Sequence, residues 1–306
     1  PYDAVVVAGL IAAEATGDIT LNISNDFDRV SALSTAGAVY LNDANNMIVG
    51  AVDGLTQIRA ATNLTLVTQN GNVTVEDTSA GDELVATNLS VTLYGAETVF
   101  EQLAGSRISA SNQAGVAADK MKLAGQIAGN TVQLQPRRAS LALDLGSVTD
   151  DAANTLELSD AELSSISAST LRMGDGTSGI TISAPLNAEG AGRMWLKSNG
   201  GLSQTAPLSQ TWLIAEVAGL LVLDDANDVE MVALASTTSS IVFRDVDGFV
   251  AIRTDGQPAV NSPFGSVTLT SLAGLLEVSA SSMTNSLVAA GPVTINAEGD
   301  DAKFRL

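Results

Sequence analysis

Short apolar alternations recur along the whole chain. Two or three apolar residues alternate with small polar residues, a Gly, Asn or Asp follows, and the pattern begins again. Period-two alternation predicts a β-strand with one buried and one solvent-facing side, and many brief strands in series are typical of a β-solenoid. The pattern therefore predicts an all-β fold, with strands at 19–23, 64–66, 73–75, 89–93, 132–134, 141–145, 156–158, 180–182, 241–243, 250–252, 267–269, 276–278 and 293–295.

Composition favours the same architecture. Of the 306 residues 45% are hydrophobic but only 4% are aromatic, so Val, Leu, Ile and Ala must fill the core. Such side chains suit a narrow solenoid interior, in which each coil contacts only its neighbours and the number of coils has no upper limit. Because no Pro-rich run or charge block interrupts the pattern, we expect residues 1–306 to form a single continuous segment.

The charge balance excludes several kinds of partner. With 34 acidic and 14 basic residues the formal net charge is −20, which argues against binding to nucleic acid or to anionic membrane surfaces. The apolar run 5–13 is too short to span a bilayer, so we expect no membrane-spanning segment. The absence of Cys excludes disulfides and thiolate metal sites.

A degenerate internal repeat marks the predicted corners between strands. The stretch 39–47 is echoed by 221–229, with a partial third copy at 151–156. In each, an apolar strand end meets Asn and Asp residues, which accept turn conformations because their side chains bond the nearby backbone. The predicted corner residues are Asn42, Asp43, Asn45, Asp225 and Asn227.

Two segments depart from the strand pattern. Ser159 and Glu162 fit a capping box, and Leu163 and Ile166 follow at helical spacing, so one or two helical turns are predicted over 160–166, with an ordinary turn as the alternative. A second short helix is predicted over 97–103, closed by Gly105. Both would decorate the solenoid.

Six short motifs in series resemble a known family. They lie at 116–125, 132–136, 143–146, 156–163, 171–175 and 180–185. They resemble the repeats of filamentous-haemagglutinin-like exoproteins and related β-strand-repeat proteins, which are giant secreted bacterial surface proteins. The match covers 116–185, nearly a quarter of the chain. The resemblance implies a right-handed parallel β-helix that is secreted or held at the bacterial cell surface, with adhesive or fibre-forming roles and no catalytic residues.

Open strand edges predict how such a chain would associate. The first and last coils of a solenoid leave unpaired backbone groups, which are templates for another strand. We therefore expect a filament or matrix subunit that stacks head to tail through coils near Val5, Val7, Val293 and Ile295, with another copy of itself as partner. The alternative is an adhesin stalk that binds cells or surface glycans through a tip outside these residues.

An enzymatic function is not predicted. The chain has no His, which removes His-based catalysis and His-ligated zinc. Carboxylate chemistry, as in β-helical polysaccharide-cleaving enzymes, would need acids that face one groove. The candidate pairs are more typical of solvated turns; they are Asp150–Asp151, Asp224–Asp225, Asp245–Asp247 and Asp300–Asp301.

Calcium is the one ion for which the sequence offers candidate ligands. The order Asp245-Val246-Asp247-Gly248 resembles the start of a calcium loop but lacks the distal Glu of an EF-hand. Metal candidates are Asp224, Asp225, Asp245 and Asp247, at corners that an ion could bridge between neighbouring molecules. The pair Arg137–Arg138 could dock on an acidic surface of another subunit or lie in an exposed loop.

Overall fold

The chain forms two compact units. The computed structural model describes residues 5–79, 81–254, 258–279, 286–299 and 303–305. Unit 1 comprises Pro1–Arg138, Asp150–Leu156 and Ala161–Leu171, and unit 2 comprises Ala139–Thr149, Glu157–Asp160 and Arg172–Leu306. The expected single continuous segment over 1–306 stays a prediction.

The described residues are almost entirely strand and loop, as the alternation predicts. The first strands lie within unit 1: β1 (Val7–Ala15), β2 (Ile19–Ser34), β3 (Val39–Asp43), β4 (Met47–Val49), β5 (Ile58–Arg59), β6 (Asn63–Thr68), β7 (Val73–Val75), β8 (Leu84–Leu93), β9 (Val99–Gln102), β10 (Arg107–Ala117), β11 (Lys120–Leu123) and β12 (Gln126–Gln135).

The remaining elements complete the all-β fold and include the one helix of the described ranges. They are β13 (Ala142–Leu145), β14 (Thr155–Leu158), α1 (Asp160–Ser164), β15 (Ile166–Thr177), β16 (Ile180–Ile182), β17 (Met194–Ser198), β18 (Leu202–Gln204), β19 (Ser209–Val217), β20 (Leu221–Ser236), β21 (Ile241–Asp245), β22 (Gly248–Ala251), β23 (Val260–Ser262), β24 (Val267–Ser271), β25 (Leu275–Val278), β26 (Leu287–Ala289), β27 (Val293–Ala297) and β28 (Lys303–Arg305).

Parallel ladders hold unit 1 together. One ladder runs through β2, β3, β6, β8, β10 and β12, and all of its pairings are parallel. In it Val39, Leu64, Leu89, Ala114 and Val132 occupy successive register positions, and all five are buried. Alternation therefore directs every second side chain into a stacked apolar column, where a fully buried Leu or Val contributes about 1.5–3 kcal/mol.

Unit 2 repeats this arrangement. Its corresponding ladder joins β18, β20, β21, β24 and β27 in parallel. Leu202, Leu221, Ile241 and Val267 are buried in one column, but the next member, Val293, is 45% exposed. The column therefore becomes open to solvent at β27.

The strand predictions are confirmed. Of the two helix predictions, one is confirmed and the other is wrong. The helical turn predicted over 160–166 is present as α1, in which Leu163 is buried. It ends earlier than predicted, because Ile166 already begins β15. The predicted helix over 97–103 is wrong, because this segment contains β9. Phe100 is buried between its register partners Val73 and Met121, so core packing overrides the local helical signal.

The two units contain the same pairing pattern at a constant spacing along the sequence. Val7 pairs with Asp26 in unit 1, and Ser209 pairs with Asp228 in unit 2. Against its following strand, β2 shifts register between Leu21 and Asn25, and β20 shifts between Leu223 and Asn227. The spacing from Val7 to Ser209, which we call the unit offset, also relates Gly17, Asn25, Ser34 and Asp43 to Gly219, Asn227, Ser236 and Asp245. Thus β1 and β2 are the counterparts of β19 and β20.

Candidate functional site

A buried Asn and a buried Asp fasten the bend of β2 in unit 1. Where β2 shifts register, Asn25 donates through Nδ2 to the carbonyls of Leu21 (3.2 Å), Ile23 (2.7 Å) and Asn42 (3.0 Å). Asp43, at the end of β3, accepts from the backbone N–H of Phe27 at 3.2 Å. We call Asn25 and Asp43 the first clamp, because together they satisfy backbone groups that the shifted ladder leaves unpaired.

The second clamp, Asn227 and Asp245, has the same geometry in unit 2. Asn227 Nδ2 donates to the carbonyls of Leu223 (3.2 Å) and Arg244 (2.9 Å), and its Oδ1 accepts from the Leu208 N–H at 2.9 Å. Gln204 adds two reciprocal amide bonds to Asn227, at 3.1 and 3.2 Å. Both clamp residues are fully buried, so these bonds are shielded from water.

Burial changes the acidity of the clamp aspartates. Desolvation raises the pKa of Asp245 to about 6, against the opposing effect of backbone N–H donors from Val229, Asp247 and Gly248. Desolvation also raises the pKa of Asp43, again opposed by backbone N–H groups. The unfavourable desolvation of the carboxylate exceeds the stabilisation that these hydrogen bonds give to it, so the ionised form destabilises the folded state.

We expect the Asp245→Asn variant to lose a stability increment that appears on acidification. A pKa raised in the folded state gives stability that is fully present below the unfolded value of 3.8 and is lost as pH rises through about 6. The free energy of unfolding of the wild type, relative to the variant, should therefore be greater at pH 5 than at pH 7.5 by roughly 1 kcal/mol. Urea titration at both pH values measures this difference.

The matched control for this titration is Asp224→Asn, which removes one exposed carboxylate from β20, the strand that pairs with β21. Its stability difference from the wild type should not change between the two pH values in the way that the Asp245→Asn difference does. Equal pH dependence in the two variants would contradict the assignment to Asp245.

The side chains of the candidate metal ligands do not come together at one site. Both carboxylate oxygens of Asp245 accept hydrogen bonds from backbone N–H groups. Oδ2 accepts from Val229, and Oδ1 accepts from Asp247 and Gly248. Among the residues that the structure describes, no group of three or more acidic side chains could hold a metal ion. The other acids lie apart: Asp224 and Asp247 are exposed, Asp225 Oδ1 accepts from the Ala226 N–H at 2.8 Å, Asp150–Asp151 precede β14, and Asp300–Asp301 fall outside the described residues.

The predicted corner residues have different positions. Asn42 and Asp43 end β3, and Asn45 follows them in a bend, where its backbone N–H donates to Asp43 Oδ1 at 3.1 Å. Asp225 and Asn227 instead lie within β20, at its register shift. The two copies proposed from sequence are therefore not equivalent in structure, since 221–229 corresponds to 19–27 and not to 39–47.

Sequence reasoning missed Asn25 and Gln204. The signal for Asn25 is present, because Leu21 and Asn25 have the same spacing as Leu223 and Asn227. Alignment of the chain with itself at the unit offset would have revealed it. Gln204 has no such signal, because the unit offset relates it to position 2, where the sequence has Tyr.

The Arg137–Arg138 pair is used within unit 1. Arg138 forms ion pairs with buried Asp119 (Nε–Oδ2, 2.6 Å) and with Glu97 (Nη2–Oε1, 2.8 Å). The Arg137 guanidinium lies over the Tyr94 ring, 4.2 Å from its centroid. Both side chains thus have intramolecular partners, and Arg138 also fixes the turn that carries Glu97.

The predicted association residues lie in or next to the strands at the two ends of the described chain. Val5 is 57%, Val7 73% and Leu10 65% exposed, and β1 forms its ladder with β2 through one edge only within the described ranges. At the other end of the chain Val293 is exposed and Ile295 is half-buried in β27. Within the described residues β1 and β27 each pair along one edge, and an unpaired edge with apolar side chains is one that natural sheets normally cover.

Comparison with protein-family models, with curated proteins and with solved structures finds no match to this chain. In the described residues no helix has both the length and the apolar character needed to cross a membrane. The features that bear on function are therefore the clamps, the stacked columns and the exposed edges.

Proposed function

We propose that this chain is a structural subunit of an extracellular or cell-surface filament or matrix, folded as a right-handed parallel β-helix and assembled head to tail. The observation that carries the proposal is the register of the ladders. Leu64 pairs in parallel with Leu89, and Val267 pairs in parallel with Val293. In both pairs the partner lies roughly 25 residues further along the chain, which is the length expected for one coil of a solenoid.

The handedness follows from a general rule of chain topology. Connections between parallel strands of one sheet are right-handed in nearly all proteins, because strands twist in a fixed direction. The resemblance of 116–185 to filamentous-haemagglutinin-like proteins agrees with this handedness and suggests secretion by a bacterium.

Head-to-tail assembly is supported by the exposed edges of β1 and β27. A polyanion with a net charge of −20 repels its own copies across most of its surface. Backbone pairing between uncharged apolar strand edges offers an attraction that this repulsion does not remove. The short range of such pairing would restrict contact to the two ends.

We expect the purified chain to form elongated particles whose mass grows with concentration. Added salt should promote this growth, since it screens the repulsion between acidic surfaces while leaving backbone pairing intact. Light scattering from micromolar to millimolar concentration, with electron microscopy of the same samples, measures it. A Val7→Lys, Val293→Lys variant should remain monomeric, and Val148→Lys, at an exposed apolar site in the loop between β13 and β14, is its control. A wild type that stays monomeric at every concentration and salt level would contradict the proposal.

A further inference from the structure

The last strand of unit 2 occupies a position that corresponds to that of β1. In unit 2 the chain passes from β17 through β18 to β19, and β19 pairs with β17. Near the end of the described chain it passes from β25 and β26 through β27 to β28, and β28 pairs with β25. β28 therefore has the same position relative to the strands before it as β19 has. Since β19 is the counterpart of β1, β28 takes the position that corresponds to β1.

The fit of β28 to this position is incomplete. Within the described residues its pairing is confined to Lys303, Phe304 and Arg305, which pair with Leu275, Leu276 and Glu277. All three residues of β28 are exposed, Phe304 to 41%, and no described strand covers the outer edge of β26. By contrast β19 pairs along Met194–Ser198 and buries Leu213, Ile214 and Ala215.

On β1, in turn, residues whose counterparts in β19 are buried remain exposed or half-buried. The counterparts of Leu213, Ile214 and Ala215 are Ile11, Ala12 and Ala13, and none of these is buried. In unit 2 the corresponding edge of β19 is paired with β17, and Leu221 is paired with Leu202. The counterpart of Leu221 is Ile19, and no described strand pairs with Ile19 in the place that Leu202 takes beside Leu221.

We infer that β28 is an exchangeable cap, and that β1 of a second copy displaces it to pair with β25 and β26. This inference rests on the proposed head-to-tail function and specifies its contact. The whole of β1 would replace the much shorter β28, and Ile19–Leu21 of the incoming copy would lie against β27. The exchange converts a short, exposed pairing into a longer, buried one, which supplies the driving force.

A reversible cross-link tests the exchange. Glu277 and Arg305 are register partners whose side chains already meet, with Nε and Oε2 3.3 Å apart. Neighbouring strands lie about 4.8 Å apart, within the Cα range of disulfides. Because the chain has no Cys, a Glu277→Cys, Arg305→Cys variant can be oxidised at this one position to hold β28 in place. We expect oxidation to reduce the assembled fraction at least tenfold in light scattering, and reduction to restore it.

The matched control is Thr74→Cys, Glu101→Cys, which links the register partners of β7 and β9 in unit 1. Its oxidation should leave assembly unchanged. A third variant, Phe304→Pro, weakens β28 by removing a backbone donor and should speed assembly several-fold.

The outcomes separate the two proposals. Assembly of the oxidised Glu277→Cys, Arg305→Cys variant at the wild-type level would overturn the exchange and leave head-to-tail association standing. Faster assembly of Phe304→Pro than of the wild type would support the cap. If both stay monomeric, head-to-tail association fails, and the exchange fails with it.

Discussion

Replacing Asn227 by Ala is expected to lower the free energy of unfolding by at least about 3 kcal/mol. The side chain donates to the carbonyls of Leu223, Asp225 and Arg244 and accepts from the Leu208 N–H. Each buried polar group that loses its partner costs about 1–3 kcal/mol, and Ala can satisfy none of them. Urea denaturation followed by circular dichroism measures the loss.

The control for Asn227→Ala is Asn199→Ala, at an exposed position whose amide makes a long bond of 3.4 Å to the Gly176 carbonyl. We expect a change within about 0.5 kcal/mol there. Similar losses in the two variants would mean that the second clamp contributes no more than an ordinary surface amide. The Asn25→Ala variant should reproduce the large loss in unit 1, where Asn25 Nδ2 donates to the carbonyls of Leu21, Ile23 and Asn42.

Truncation of Phe243 to Ala is expected to cost about 3–5 kcal/mol of unfolding free energy. Phe243 and Phe249 pack edge to face, with ring centroids 4.9 Å apart and planes at 82°, and both rings are buried. In a chain with only 4% aromatic residues, few other side chains could fill the resulting cavity. Thermal and urea unfolding should both show the loss.

A neighbouring position supplies the comparison for Phe243→Ala. Val242 lies on the opposite side of the same strand and is only half-buried, so Val242→Ala should cost less than about 1.5 kcal/mol. A Phe243→Leu variant should recover much of the loss, because it restores apolar volume. If Phe243→Ala cost no more than Val242→Ala, the ring pair would not be a packing centre of unit 2.

Much of the fold could be predicted from local sequence. Period-two alternation located the strands, since a strand such as β7 needs little more than Val73 and Val75 on one side and Thr74 on the other. The misassigned segment 97–103 shows the limit of this reasoning. Its place in β9 depends on Phe100 pairing with Val73 and Met121, which are distant from it in the sequence, and no local pattern contains that information.

The candidate site was less predictable, for a related reason. Asn42 and Asp245 are visible as turn-forming residues, but the role of Asp245 depends on the N–H of Val229, which lies well before it on β20. A short-motif comparison matched 39–47 with 221–229 because it compared letters without regard to register. The unit offset becomes clear only when pairing partners are compared, as Asn25 and Asp43 are with Asn227 and Asp245.

The recurrence of one pairing scheme in both units has a consequence for how such a protein could change in size. Each copy brings its own bent strand and its own polar fastening, so tandem duplication of the coding segment would lengthen the polypeptide without demanding a newly designed interior. Divergence could then proceed at outward-facing positions, as the exchange of Leu10 for Trp212 illustrates. Length and surface chemistry would thus be free to evolve separately.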